Sequence, residues 1–135
     1  MSATLIIIGV LLVATAFGLV DRKRSGTLKV KMSLQLGVSS QEIGSELGEV
    51  ATVLQFSSAF CAPCRTTRSI ITSVIEHFPK MKHIEVDAEK NLELVRRLKI
   101  HQTPTTLFLN SSGNEIARAV GAPKRDQLMS ALQKI

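Results

Sequence analysis

Residues 51–65 read Ala51-Thr52-Val53-Leu54-Gln55-Phe56-Ser57-Ser58-Ala59-Phe60-Cys61-Ala62-Pro63-Cys64-Arg65. A short apolar run, bounded upstream by Gly48, leads into a turn carrying two cysteines. Beyond it Ile70, Ile71, Val74, Ile75 and Phe78 recur at helical spacing. The run Ala51 to Ser57 is expected to be a buried central strand, and the segment after the turn an amphipathic helix stopped by Pro79. Cys61 and Cys64 are the chain's two cysteines. At a helix start both sulfurs lie on one exposed turn, where unpaired helical N–H groups favour a thiolate. That is the geometry of a reversible disulfide. Zinc sites also use Cys-x-x-Cys, so spacing alone leaves a redox pair and a metal site both open.

Outward from this segment the chain alternates between two periods. Leu28, Val30, Met32 and Leu34 alternate with Lys29, Lys31 and Ser33, as a half-buried strand does. Ser39-Ser40-Gln41-Glu42 opens a weak helix through about Leu47, with Ser39 or Ser40 as its N-cap. Downstream, His83 to Asp87 forms a short strand, and Asp87-Ala88-Glu89 opens a helix with Leu92, Val95 and Leu98 on its apolar face. Thr105 to Asn110 is β-rich, Ser111-Ser112-Gly113-Asn114 is a turn, and Glu115 to Val120 is its hairpin partner. After Gly121-Ala122-Pro123, a last helix carries Leu128, Ala131, Leu132 and Ile135 on one face. The order β-α-β-α-β-α-β-β-α implies an α/β sandwich: a central mixed sheet, parallel at first and then antiparallel, with helices on both faces.

This order, with Cys-x-x-Cys opening the helix after the second strand, resembles the thioredoxin family from about Leu28 to Ile135. The motifs that carry the resemblance are Phe56 to Cys64, Val86-Asp87, Thr103-Pro104-Thr105 and Val120-Gly121. The cysteine pair followed about forty residues later by Thr-Pro-Thr at a strand head is a specific combination. The resemblance implies a thioredoxin-like three-layer sandwich and a thiol–disulfide oxidoreductase that reduces protein disulfides through a mixed disulfide. Cys61 and Cys64 would be catalytic, Cys61 attacking and Cys64 resolving. Phe60, Ala62, Pro63, Thr103 and Pro104 would contact the substrate. A cis peptide bond before Pro104 would let the Thr103 backbone pair with an extended substrate segment. Pro63 suits the first helical turn, where no donor is lost. Arg65 and Arg68 either add to the field at the thiols or serve solubility. No cofactor and no metal are implied. The implied partners are disulfide-containing proteins and a reductase or other thiol electron donor.

Two departures from the family pattern stand out. The buried Asp expected six positions before the first cysteine is Gln55, which is not a base at physiological pH. The two Trp of the motif are Ser57 and Phe60. Proton handling and substrate contact are therefore expected to differ from the family pattern. His77, His83 and His101 read as loop or element-end residues. His101 lies nearest in sequence to Pro104, and the histidines lack paired metal-ligand spacing.

Residues 1–24 read as an N-terminal membrane anchor with a basic flank, and residues 25–135 as the domain. Ala3 to Val20 is uncharged over 18 residues, ~27 Å as a helix against a hydrocarbon core of ~30 Å. A signal peptide cleaved near Ala14-Thr15-Ala16 is the alternative, but no basic residue precedes the apolar run. Arg22, Lys23, Arg24, Lys29 and Lys31 follow it, so the positive-inside rule places the domain on the cytoplasmic side. An extracytoplasmic domain, acting in disulfide formation or cytochrome maturation, is the alternative topology. A non-catalytic thioredoxin-fold binding module is the alternative function. The chain's net charge of +6 falls to +4 over residues 25–135, seventeen minus three basic against eleven minus one acidic residues. Without aromatic interleaving, that excess does not point to nucleic acid.

Overall fold

The computed structural model describes residues 2–24, 28–29 and 37–135, with side-chain environments for 4–20 and 37–135. The elements run α1 (Ser2–Arg24), β1 (Leu28–Lys29), α2 (Ser40–Ile43), β2 (Ala51–Ser57), α3 (Ala62–Ile75), β3 (Met81–Asp87), α4 (Leu92–Arg97), β4 (Thr105–Asn110), β5 (Glu115–Val120) and α5 (Arg125–Leu132). The strands form one five-stranded sheet in the order β1-β5-β4-β2-β3. β2 and β3 are parallel, whereas β2–β4, β4–β5 and β1–β5 are antiparallel. Over the described residues from Leu28 onward, the expected α/β sandwich with a mixed sheet is this fold.

Every residue of β2 is buried, as its apolar run demands of a strand with a neighbour on each edge and a layer on each face. Alternate side chains enter different cores. Leu54 and Phe56 join Ile84, Val86, Leu94, Leu98, Leu107 and Leu109 on one side of the sheet. Val53 joins Ile71, Val74, Phe108, Leu128 and Leu132 on the other. The second core seats α3 and α5, so the helix carrying both cysteines is packed against the sheet through Ile71 and Val74.

Several boundaries differ from the sequence expectation. α2 is one turn long, because Gly44 ends it in the left-handed conformation (φ 63°). α4 starts at Leu92 and not near Asp87, since residues 88–90 form a turn. The helix therefore presents Leu94 and Leu98 inward and leaves Leu92 53% exposed, correcting the apolar face assigned to Leu92. In α5 Leu128 and Leu132 are buried, while Ile135 lies past the helix end and is exposed. Of the strand expected over Leu28 to Leu34, Leu28–Lys29 is observed, paired with Ala119 and Arg118. Val30, Met32 and Leu34 lie outside the described residues.

The apolar N-terminus is helical, and large side chains from Leu5 to Val20 are exposed around it. Among the described residues, no helix is long and apolar enough to cross a membrane. The transmembrane span expected over Ala3 to Val20 therefore has no support in the structure.

Candidate active site

β2 leads from the sheet into the turn at Ser58 to Phe60, and Cys61 is the N-cap of α3. A helix start leaves its first N–H groups without intrahelical partners. Here the Cys64 N–H donates to Cys61 Sγ at 3.2 Å, so a sulfur does the work usually given to a cap oxygen. Ala62 and Pro63 occupy the first two helical positions, where the missing proline N–H is no loss. Cys61 and Cys64 are joined in a disulfide, S–S 2.06 Å. Their environments differ: Cys61 is partly exposed, while Cys64 is 1% exposed.

Of the other expected contact residues, Phe60, Ala62 and Pro63 flank Cys61 in the chain. Phe60 is 100% exposed beside it, and Ala62 and Pro63 are exposed on the same turn. Thr103-Pro104 is cis. The hydroxyls of Ser58 and Thr103 lie 3.2 Å apart, tying the turn before Cys61 to the loop before β4. Pro104 is buried, and its carbonyl accepts from the Gly121 N–H at 2.8 Å, so the end of the hairpin holds this loop in place. The turn and the Thr-Pro loop thus meet at one end of β2 and β4. His101 is exposed near this end, and His77 sits at the far end of α3. Among the described residues no group of three or more His, Cys, Asp or Glu is arranged to hold a metal ion.

A polar network beneath α3 is not evident from sequence spacing. Gln55 is fully buried. Its Nε2 donates to the Cys64 carbonyl at 3.0 Å, and its Oε1 meets His83 Nε2 at 3.0 Å. On β3, Glu85 follows His83 on the same face. Arg68 of α3 donates to both Glu85 oxygens at 2.6 Å, and the Ser57 hydroxyl donates to Oε1 at 2.6 Å. The Arg68 bonds, chiefly, hold the Glu85 carboxyl below its ordinary value of 4.5, against the opposing effect of burial. Burial lowers His83 from its ordinary 6.5, favouring the neutral ring at neutral pH. Arg68 is thus held in an ion pair with Glu85. The readable signal was the alternation of polar His83, Glu85 and Asp87 with apolar Ile84 and Val86. The missing information was the register pairing Gln55 with Glu85. The Thr67 and Thr106 hydroxyls are buried without partners, one turn after Cys64 and across the sheet from Gln55.

Beside the disulfide, a cleft of about 440 Å³ is lined by Ser57, Ser58, Cys61, Arg65, Arg68 and Glu85, among others. An accessible sulfur at a helix N-terminus, a buried second sulfur and an open cleft define a thiol–disulfide oxidoreductase site. The Thioredoxin family model matches residues 38–134, and the chain belongs to the thioredoxin family. It is 26% identical over 122 residues to thioredoxin H2 of Arabidopsis thaliana, covering 90% of this chain and 88% of that protein. It is 31% identical over 74 residues to thioredoxin H5 of Oryza sativa, a match spanning about half of each protein, 55% of this chain and 54% of the rice one. Among solved structures, thioredoxin from Trypanosoma brucei brucei superposes with a TM-score of 0.60 at 24% identity, covering 78% of this chain and 92% of that one.

Proposed function

We propose that this protein reduces disulfides in protein substrates, with Cys61 as the attacking thiol and Cys64 as the resolving one. The observation that carries this reading is the asymmetry of the pair: Cys61 is reachable and its sulfur accepts the Cys64 N–H, while Cys64 is 1% exposed. In the reduced protein the Cys61 thiolate attacks one substrate sulfur, and the displaced sulfur leaves as a thiolate that takes a proton. Cys64 then loses its proton and attacks Cys61 Sγ, releasing the second substrate thiol and leaving the Cys61–Cys64 disulfide. Two electrons pass to the substrate with two protons, one from Cys64 and one from solvent. A dithiol reductase or comparable thiol donor returns them in a second exchange. Phe60, Ala62, Pro63 and Thr103 form the surface on which the substrate segment lies, with buried Pro104 fixing the Thr103 loop.

Reduction of insulin disulfides by the full chain tests this. Activity is expected in the unmodified protein and absent in Cys61→Ser. Cys64→Ser is expected to accumulate a mixed disulfide at Cys61. Cysteine-independent activity overturns the assignment of the pair, and no activity in the unmodified protein overturns the reading in favour of a non-catalytic binding module.

We further propose that residues 3–20 anchor the protein in a membrane with the domain on the cytoplasmic face. The support is in the sequence: the uncharged stretch from Ala3 to Val20 and the basic cluster Arg22-Lys23-Arg24 after it. Removal of residues 1–24 is expected to release the protein from alkali-washed membranes. A reporter fused after Ile135 reads its side. Release of the full chain by alkali, or an outward reporter signal, overturns the corresponding part.

A further inference from the structure

We propose that His83 is a proton-linked positioning residue for the redox pair, coupled to Cys64 through the Gln55 side-chain amide. The proposal rests on the reading of Cys61 and Cys64 as a working dithiol–disulfide couple. Its starting point is the direction of two hydrogen bonds. The Cys64 carbonyl can only accept, so the amide end of Gln55 must face it, as observed at 3.0 Å. Gln55 Oε1 is therefore the atom turned to His83, and it too can only accept. His83 Nε2 must carry the hydrogen of the 3.0 Å contact. Neutral His83 then has its lone pair on Nδ1, and a second proton enters there without breaking the bridge to Cys64.

That second proton has a route. His83 is only partly buried and lies on β3, an edge of the sheet. The charged groups acting on the ring are Glu85, on its own strand, and Arg68, from α3. They form an ion pair with each other and act on His83 in opposite senses. β2, the neighbouring strand, holds no charged residue. Protonated His83 is thus a new positive charge one amide removed from the Cys64 backbone.

The redox state of the pair changes what that charge meets. The disulfide is uncharged. Its reduction by two electrons breaks the S–S bond and, on uptake of one proton, leaves one thiol and one thiolate. A cation linked to Cys64 favours this product, so His83 holds its proton more tightly in the reduced protein than in the oxidised one. By linkage, the reduced form is favoured to the same extent when His83 is protonated. The two sulfurs and His83 are one coupled titration.

The experiment uses the full chain. The dithiol/disulfide equilibrium is measured against a thiol redox buffer from pH 5 to 8, and imidazole titrations are followed by NMR in both redox states. The unmodified protein is expected to show a two- to threefold added shift in the equilibrium across the His83 titration, about 9–14 mV for a two-electron couple. The matching rise in the His83 pKa on reduction is expected from NMR. His83→Gln, which keeps an amide donor toward Gln55, is expected to lose the step. Gln55→Met is expected to leave His83 titrating alike in both states. Equal His83 pKa values in the two redox states of the unmodified protein, or a step that survives in His83→Gln, overturn the proposal. If a variant fails to fold, the NMR comparison on the unmodified protein decides alone. A pair that does not cycle at all overturns this inference together with the reductase reading, whereas normal cycling without the pH step overturns only this one.

Discussion

Gln55 is the residue where the chain departs furthest from its family pattern, and the structure shows what a buried amide can do there. A carboxylate at this depth would be desolvated and would seek a proton or a cation. The amide is neutral, and it meets both neighbours with one donor and one acceptor. Gln55→Leu leaves the Cys64 carbonyl and His83 Nε2 without that partner. It is expected to lower the stability of the oxidised protein by ~1–3 kcal/mol in urea denaturation. The two titrating neighbours set distinct pH windows. His83 has a folded pKa below its ordinary 6.5, so the unfolded chain binds its proton first and stability falls as pH drops from about 6.5 through the folded value. Glu85 has a folded pKa below 4.5, so its contribution is complete above 4.5 and is lost as pH falls through the folded value. Urea denaturation against pH is expected to show both losses on the acid side. His83→Gln should remove the upper one, and Glu85→Gln the lower.

Elements were legible where local chemistry speaks strongly. The cysteine helix, the hairpin and the N-cap at Ser39 follow from Pro, Gly and Ser placed where those residues solve a backbone problem. At Ser39 the capping box is complete: its hydroxyl accepts the Glu42 N–H, and the Glu42 carboxylate accepts the Ser39 N–H at 2.9 Å. Ser39→Ala is expected to cost ~0.5–1 kcal/mol, read as a lower urea midpoint. Gly113 in the hairpin turn has φ +81°, and an added Cβ would lie 2.2 Å from the Val38 carbonyl oxygen. Its own carbonyl accepts from Val38 N–H at 2.9 Å, so the turn cannot shift freely. Gly113→Ala is expected to destabilise by more than ~1 kcal/mol, beyond what strain-free glycine replacement changes. α4 shows where local reading fails. Leu92, Leu94, Val95 and Leu98 admit two apolar faces, and the turn at residues 88–90 selects the one carrying Leu94. That choice depends on where β3 ends against β2, which no pattern within residues 87–98 encodes.

At the scale of the whole molecule, β2 sits between β3 and β4 with a core on each face, so the turn carrying Cys61 is held by the most buried strand. Phe108 fills the core between the sheet and the α3–α5 layer. Phe108→Ala is expected to cost ~3–5 kcal/mol, enough to lower the thermal midpoint sharply, with the loss measured by calorimetry. Burial of α3 against this core is what makes Cys64 inaccessible while Cys61 stays open. By itself the sequence determined the strand order along the chain, the position of the cysteine turn and the family, because those follow from periodicity, breakers and motif spacing over a few residues. Only the tertiary structure decided that Gln55 joins Cys64 to His83, that Arg68 is held by Glu85, and which face α4 buries. Each of these depends on the register between segments distant in the chain. A shift of one residue in that register would turn His83 and Glu85 to the other face of the sheet.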